Sequence, residues 1–303
     1  MPYKTGALLV VTAGLLWSFQ ALIIRQLGEA GSWAVLFWRS SGMLPVLLAF
    51  IGWRARGSLG SAMRSAGIAG LIGGVALVAA MGGAIVAFQS TTIANAAFLL
   101  AASPLISAIL ARIVLKEEVS ARTRIAILIA LVGIFVMVRE GLANGAWLGN
   151  IAALVSASGF AAFTITLRWR HLDDSLPSVA IGAALAMSAS MFVAAQLGQP
   201  ILVRTPDIIW CLLMGAVTLA GGMILYTLGS KAVPSAELAL LSNTEVMLAP
   251  LWVWLVMGET ASIGTFVGGA ILFAGIAFNA IGATRKAVQP DRKPSEPATA
   301  PCG

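Results

Sequence analysis

Eight stretches of this chain contain no Asp, Glu, Lys or Arg: 5–24, 40–53, 66–111, 125–138, 141–167, 175–203, 208–230 and 260–284. A helix needs roughly 20 apolar residues to cross the hydrocarbon of a bilayer. The 46-residue run from Ala66 to Ala111 is long enough for two crossings. Only 10% of the residues are charged and 59% are hydrophobic, with a mean hydropathy of +0.94. Soluble domains carry about 25% charged residues, and a wet surface cannot be built from fewer than half as many. The 32 glycines are scattered through the apolar runs, as expected where small residues let helices approach closely in lipid. The expected fold class is therefore an all-α integral membrane protein.

Ten spans are expected, near 6–25, 33–53, 66–88, 93–115, 122–139, 146–167, 176–198, 208–230, 235–257 and 262–284. The first is read as a retained helix, because no small-residue cleavage site follows it. The tail, 285–303, with Pro290, Pro294, Pro297 and Pro301 among polar residues, is expected to be disordered. Placing the N-terminus in the cytoplasm puts fifteen of the nineteen Lys and Arg on the inner side. Arg25, Arg139 and Arg204 are then outside, and Arg39 lies within a span. Cytoplasmic loops carry such an excess, so both termini are expected inside. The charge of +7 is thereby a topology signal rather than a nucleic-acid footprint. Trp33, Trp53, Trp147, Trp169 and Trp210 fall at span ends, as an interfacial belt requires. Trp17, Trp38 and Trp252 do not. Cys211 lies in a span and Cys302 in the tail, so no disulfide is expected.

The chain repeats itself at an offset of 141. Leu100-Ala101-Ala102-Ser103-Pro104 lies over Leu241-Ser242-Asn243-Thr244-Glu245, and Glu118 over Glu259. The expected units are a five-helix half over 1–140 and a second over 141–284. Five is odd, so the second half enters the membrane inverted. Many secondary transporters are built this way and rock one half against the other around a midplane site.

The motifs resemble the ten-helix, EamA-type branch of the drug/metabolite transporter superfamily over residues 5–284. The first span reads Ala13-Gly14-Leu15-Leu16-Trp17-Ser18-Phe19, and the second carries Phe37-Trp38-Arg39. The fourth runs from Ala94-Asn95-Ala96-Ala97 through Ser103-Pro104-Leu105 to Leu115-Lys116-Glu117-Glu118. The ninth runs from Ser235-Ala236-Glu237-Leu238-Ala239 through Ala249-Pro250-Leu251 to Met257-Gly258-Glu259. Within that branch the chain is similar to the bacterial YddG-type exporters of aromatic and other amino acids. The resemblance implies export from the cytoplasm across the bacterial inner membrane. It also contributes to an expected cavity lined by spans one, three, four, six, eight and nine. Two departures leave the substrate open. Lys116-Glu117-Glu118 replaces a more usual Gly-Glu, and Glu245 adds a carboxylate.

Glu245 is the acidic residue expected nearest the midplane, roughly 15 Å into span nine. A charge there lacks bulk water, so it needs a cation, a proton or a wet cavity. It can contact a substrate ammonium or sit as a neutral acid bonded to neighbouring helices. Glu237 is expected nearer the inner interface. Arg39, about 9 Å below the outer end of span two, either grips a carboxylate bidentately or pairs with carbonyls and snorkels. Trp17, with Ser18 and Gln20 beside it, is a candidate to stack on a substrate. Phe160, Phe163, Tyr226, Asn95 and Asn243 complete the candidate binding set. Pro104 and Pro250 interrupt helix ladders and are candidate gating kinks. Gly70-x-x-x-Gly74 and Gly264-x-x-x-Gly268 are read as packing contacts.

The expected function is a secondary transporter exporting neutral or aromatic amino acids by alternating access. A general metabolite or drug exporter is the alternative, and a non-transporting assembly protein a distant third. Enzyme chemistry lacks a basis: the single histidine, His171, falls in a loop, no Asp falls within a span, and there is no His-Glu-x-x-His or Cys cluster. No phosphate-binding Gly-rich loop with Lys appears. Neither metal nor cofactor is expected. The expected partners are a small-molecule substrate and the lipid bilayer, with a monomer as the expected assembly.

Overall fold

A computed structural model describes residues 1–28, 30–143, 145–170, 172, 174–233, 241 and 244–288, with 141–143 and 280–288 as backbone only. Among these residues every regular element is helical. The chain folds as α1 (Tyr3–Gln26), α2 (Ser32–Arg54), α3 (Leu59–Ser90), α4 (Ile93–Leu100) and α5 (Ser103–Leu110). A π-helical turn, Ala111–Leu115, extends α5, and α6 (Ala121–Ala143), α7 (Trp147–Trp169), α8 (Leu176–Gln196) and α9 (Thr205–Leu213) follow. A second π segment, Met214–Gly221, joins α9 to α10 (Gly222–Gly229), and α11 (Thr244–Met257) and α12 (Ile263–Val288) close the chain. Helices dominate because hydrocarbon offers the backbone no hydrogen-bond partner, so each segment must satisfy its own amides.

Eight helical segments among the described residues are long and apolar enough to span a bilayer. The seventh and eighth expected spans coincide with α8 and with the α9–π–α10 rod. The two expected last fall on the shorter apolar helices Thr244–Met257 and Ile263–Asn279. Residues 234–240 and 242–243, which include Glu237 and Asn243, lie outside the described residues. The third helix begins at Leu59, seven residues ahead of its expected start, and passes through Gly67 at φ 53°. That backbone conformation is open to glycine and rarely to other residues, so Gly67 marks a kink.

The spans cross between two end faces of the molecule, with α4–α5 and α9–π–α10 each forming one rod. On the face where α1 begins, Arg54 pairs with Asp174 at 3.1 Å and Arg168 with Glu117 at 2.6 Å. On the opposite face, Ser32 donates to Gln89 at 2.5 Å, and the Trp38 indole N–H donates to the Ile201 carbonyl at 2.8 Å.

Burial is arranged for lipid. Ile125, Leu128, Leu131, Val132 and Phe135 make α6 an exposed apolar stripe, while Ser18, Gln20, Arg39, Asn95 and Asn150 are buried. Trp53, Trp147, Trp169 and Trp210 are exposed at helix ends, where a water–lipid boundary suits their amphipathic rings. Inside, α3 packs along α7 and α8, α1 along α10 and α11, and α6 along α12. Small residues set these distances. A Cβ added at Gly83 would sit 2.7 Å from the Ala152 carbonyl, and one at Gly268 2.7 Å from the Gly133 carbonyl. Gly268, of the second expected glycine motif, is thus a packing contact, as is Gly74 against Ile181 and Gly182.

Candidate functional site

The middle of α1 presents side chains in three directions, because successive residues turn by about 100° around a helix of 3.6 residues per turn. Trp17 faces α10, where its ring lies 5.5 Å from that of Tyr226 at an interplanar angle of 41°. Gly222 admits Trp17 by lacking a Cβ that would overlap the indole nitrogen. Ser18 faces α11 and accepts a hydrogen bond from the Trp252 indole N–H at 2.9 Å. Phe19 stacks on Trp252 at 5.2 Å and 13°. Aromatic pairs of this kind contribute about 0.5–1.5 kcal/mol each beyond their burial. Two half-buried aromatic pairs from three helices thus flank α1 at about one level of the bundle.

Gln20 turns away from that cluster. Its Oε1 lies 3.5 Å from Nη1 of Arg39, whose Nη2 donates to the Met81 carbonyl at 3.1 Å. Arg39 is 2% exposed and so bridges α2 to α1 and α3. Of the two roles open to Arg39, the geometry displays carbonyl pairing. Its Nε has no partner among the described residues.

Glu245 occupies the first turn of α11 and is half-buried. It precedes Trp252 by seven residues, two turns, and so lies on the same face about 10 Å nearer the α1 N-terminal end. Among the described residues it has no hydrogen-bond or ion-pair partner. Phe163 is buried, 3.2 Å from where a Cβ on Gly73 would sit, whereas Phe160 is 44% exposed on the outer surface of α7. Neither joins the rings around Trp17. Asn95, 3% exposed, donates from Nδ2 to Thr91 Oγ1 at 3.0 Å and to Asn150 Oδ1, tying α4 to α7. Its own Oδ1 is unpartnered among the described residues. Pro104 stands in the first turn of α5, and the helix break falls just before it, at Ala101–Ala102. Pro250 lies inside α11, and Pro45, which the sequence reading passed over, lies inside α2.

The face opposite the α1 N-terminus carries two polar clefts. One, of about 340 Å³, is lined by Arg25, Gln89, Thr91, Asn95, Glu140 and Thr265 among others. The other, of about 410 Å³, shares Arg25 and Gln89 and adds Ser32, Trp33 and Gln199. Between the clefts and the aromatic cluster, Arg25 Nε donates to Glu259 Oε2 at 2.7 Å. Nη1 and Nη2 of Arg25 donate to the Phe88 and Thr91 carbonyls at 3.0 and 2.9 Å. The other carboxylate oxygen of Glu259 accepts from the Ile93 N–H at 2.7 Å. Trp252, Arg25, Glu259 and Asn150 were not among the candidates read from the sequence. Trp252 carried a signal, being a tryptophan away from any span end. Arg25 read as an outer-loop charge, and Glu259 as a repeat position and the end of the Met257-Gly258-Glu259 motif.

Comparison with known proteins agrees with this architecture. A transporter of Archaeoglobus fulgidus, described only as uncharacterized, is 27% identical over 194 residues, which is 63% of this chain and 68% of that protein. A solved crystal structure shares the fold with a TM-score of 0.65 at 20% identity, covering 93% of this chain and 99% of the other. The EamA-like transporter family matches twice, over residues 4–139 and again over 147–281. Both the family and the named relative point to a transporter rather than an enzyme. The chain is thus a multi-pass membrane protein that takes a small-molecule substrate, and it belongs to the EamA-like transporter family.

Proposed function

We propose that this protein is a secondary transporter that exports neutral or aromatic amino acids across the bacterial inner membrane by alternating access. The observation that carries the reading is the two aromatic pairs that α1 makes with its neighbours, Trp17–Tyr226 and Phe19–Trp252, with Glu245, unpaired among the described residues, two turns from Trp252 on the same face of α11. Aromatic faces suit an apolar or aromatic side chain, and a carboxylate suits an ammonium group. Ten spans with both termini cytoplasmic, in a monomer, complete the proposal.

The inverted two-half arrangement, 1–140 and 141–284, is supported by the twofold family match. It is supported as well by an exchange of packing partners: α1 lies on the α9–π–α10 rod as α7 lies on α3, and α2 lies on that rod as α8 lies on α3. Rocking of one half on the other would open the aromatic level to each face in turn.

A second reading, export of amphipathic amines or drug-like metabolites, is favoured by one observation. The Arg39 guanidinium is engaged by Met81 and Gln20, which leaves no evident partner for a substrate carboxylate beside the rings. Reconstitution in liposomes with labelled amino acids, nucleosides, sugars and lipophilic amines, with and without a pH gradient, separates the two. Flux of amino acids is expected. Flux of amines with no amino acid would select the second reading.

A further inference from the structure

The contact that Arg25 and Glu259 make at one face is made again at the other face by different helices. Arg25 ends α1 and Glu259 follows α11 by two residues. Arg168 nearly ends α7, and Glu117 follows the π turn after α5 by two residues. Arg168 is 143 residues after Arg25, and Glu259 is 142 after Glu117. Both separations fall within two residues of the offset at which the halves align. The same bridge, from the end of a half's first span to the end of the other half's fourth, therefore occurs once at each face.

The two bridges differ in strength. The Arg25 and Glu259 side chains are 23% and 21% exposed. Together they also engage the carbonyls of Phe88 in α3 and of Thr91 just after it, and the first N–H of α4. Opening this bridge must disturb α1, α3, α4 and α11 at once. Among the described residues the Arg168–Glu117 bridge is a single contact, between side chains 51% and 46% exposed. Such solvent-exposed pairs are weak and screened by salt. Below the first bridge, two turns along the same helix pair, Ser18 is fully buried against Trp252. Both contacts join residues 234 apart, so α1 and α11 run parallel and in register from one to the other.

We propose that Arg25–Glu259 and Arg168–Glu117 are the two gates of the transport pathway, and that their unequal strength holds the resting protein shut on the Arg25 face. This rests on the alternating-access reading, in which parting α1 from α11 opens one face and parting α7 from α5 opens the other. A ligand or mutation then shifts a pre-existing equilibrium between the two.

The test is the labelling rate of a cysteine at Ser18→Cys, in a Cys211→Ser, Cys302→Ser background. The probe is a membrane-impermeant maleimide applied to reconstituted protein from the Arg25 face. Arg25→Gln or Glu259→Gln is expected to raise the rate roughly tenfold, within the usual span of conformational coupling. The charge-exchanged double variant, Arg25→Glu with Glu259→Arg, is expected to bring it back toward the parent. Arg168→Gln is expected to lower it. An unchanged rate in both single variants overturns the proposal. A raised rate that the charge exchange does not reverse overturns it as well, because general loosening would then account for it. Indifference to Arg168→Gln overturns the pairing of the gates. Intact labelling responses in a protein that moves no substrate would instead overturn the transport reading and leave the gates standing.

Discussion

The indole N–H of Trp252 reaches across from α11 to Ser18 of α1, 2.9 Å away, and places Trp252 flat against Phe19. One hydrogen bond and one stacked pair thereby fix the position of a ring that forms much of the candidate site. Trp252→Phe keeps the stack and loses the bond. Ser18→Ala leaves an indole N–H buried without a partner, which costs about 1–3 kcal/mol against about 1 kcal/mol for an ordinary hydrogen bond. Thermal unfolding in detergent is expected to show Ser18→Ala as the more damaging change. The double variant should lose less than the sum of the singles, because the two residues share one interaction. Additive losses would count against the bond.

Gly222 and Gly221 are neighbours with opposite tolerances. A Cβ on Gly222 overlaps the Trp17 indole, whereas one on Gly221 meets nothing nearer than Leu16 Cδ1 at 3.8 Å. Gly222→Ala is expected to displace Trp17 from Tyr226, to lower stability by about 1–3 kcal/mol as overpacking does, and to reduce flux several-fold. Gly221→Ala should leave both within error. Paired flux and unfolding measurements decide it, and equal behaviour of the two variants would remove Trp17 from the site.

Arg39 is expected to act on stability. Its bonds to the Met81 carbonyl and to Gln20 join three helices, and hydrogen bonds to charged groups are worth about 1.5–3 kcal/mol each. Arg39→Met should lower the unfolding temperature sharply. Arg39→Lys should not restore it, since an ammonium lacks the planar fork. A raised KM for amino acids at unchanged stability would mark Arg39 as a substrate group instead.

The helices were legible because lipid makes charge-free length a direct signal. Most span ends followed from where the charge-free stretches stop; the start of α3 at Leu59, seven residues ahead of expectation, did not. The register between helices was not legible. That Ser18 meets Trp252, or Arg25 meets Glu259, depends on two segments 234 residues apart running side by side, and no local pattern encodes it. Three nearby residues of α1 looked like one pocket wall in the sequence. Helical rotation sends Trp17, Ser18 and Gln20 to different neighbours. Phe160 and Phe163 read alike as apolar aromatics, yet a three-residue step and packing against Gly73 bury one and leave the other exposed. The π segments within 111–115 and 214–221 have no composition that distinguishes them from α-helix.

Glu245 discriminates the remaining alternatives, because among the described residues nothing neutralises it. A carboxylate at that depth needs a cation, a proton or water. With substrate ammonium as the cation, Glu245→Gln keeps the shape, loses the charge and weakens amino-acid flux by roughly ten- to a hundredfold, the range of a lost charged hydrogen bond. With proton exchange at this carboxylate, the same change abolishes the response of flux to a pH gradient while downhill movement survives. With a purely structural role, Glu245→Gln transports normally, and Glu245→Leu lowers stability or expression. The substrate role is the expected one, given the position of Glu245 on the Trp252 face of α11. A proteoliposome series with unfolding measured in parallel separates the three. Wild-type flux with unchanged pH response in the Gln variant would strike Glu245 from the site and leave Trp17 and Trp252 as its anchors.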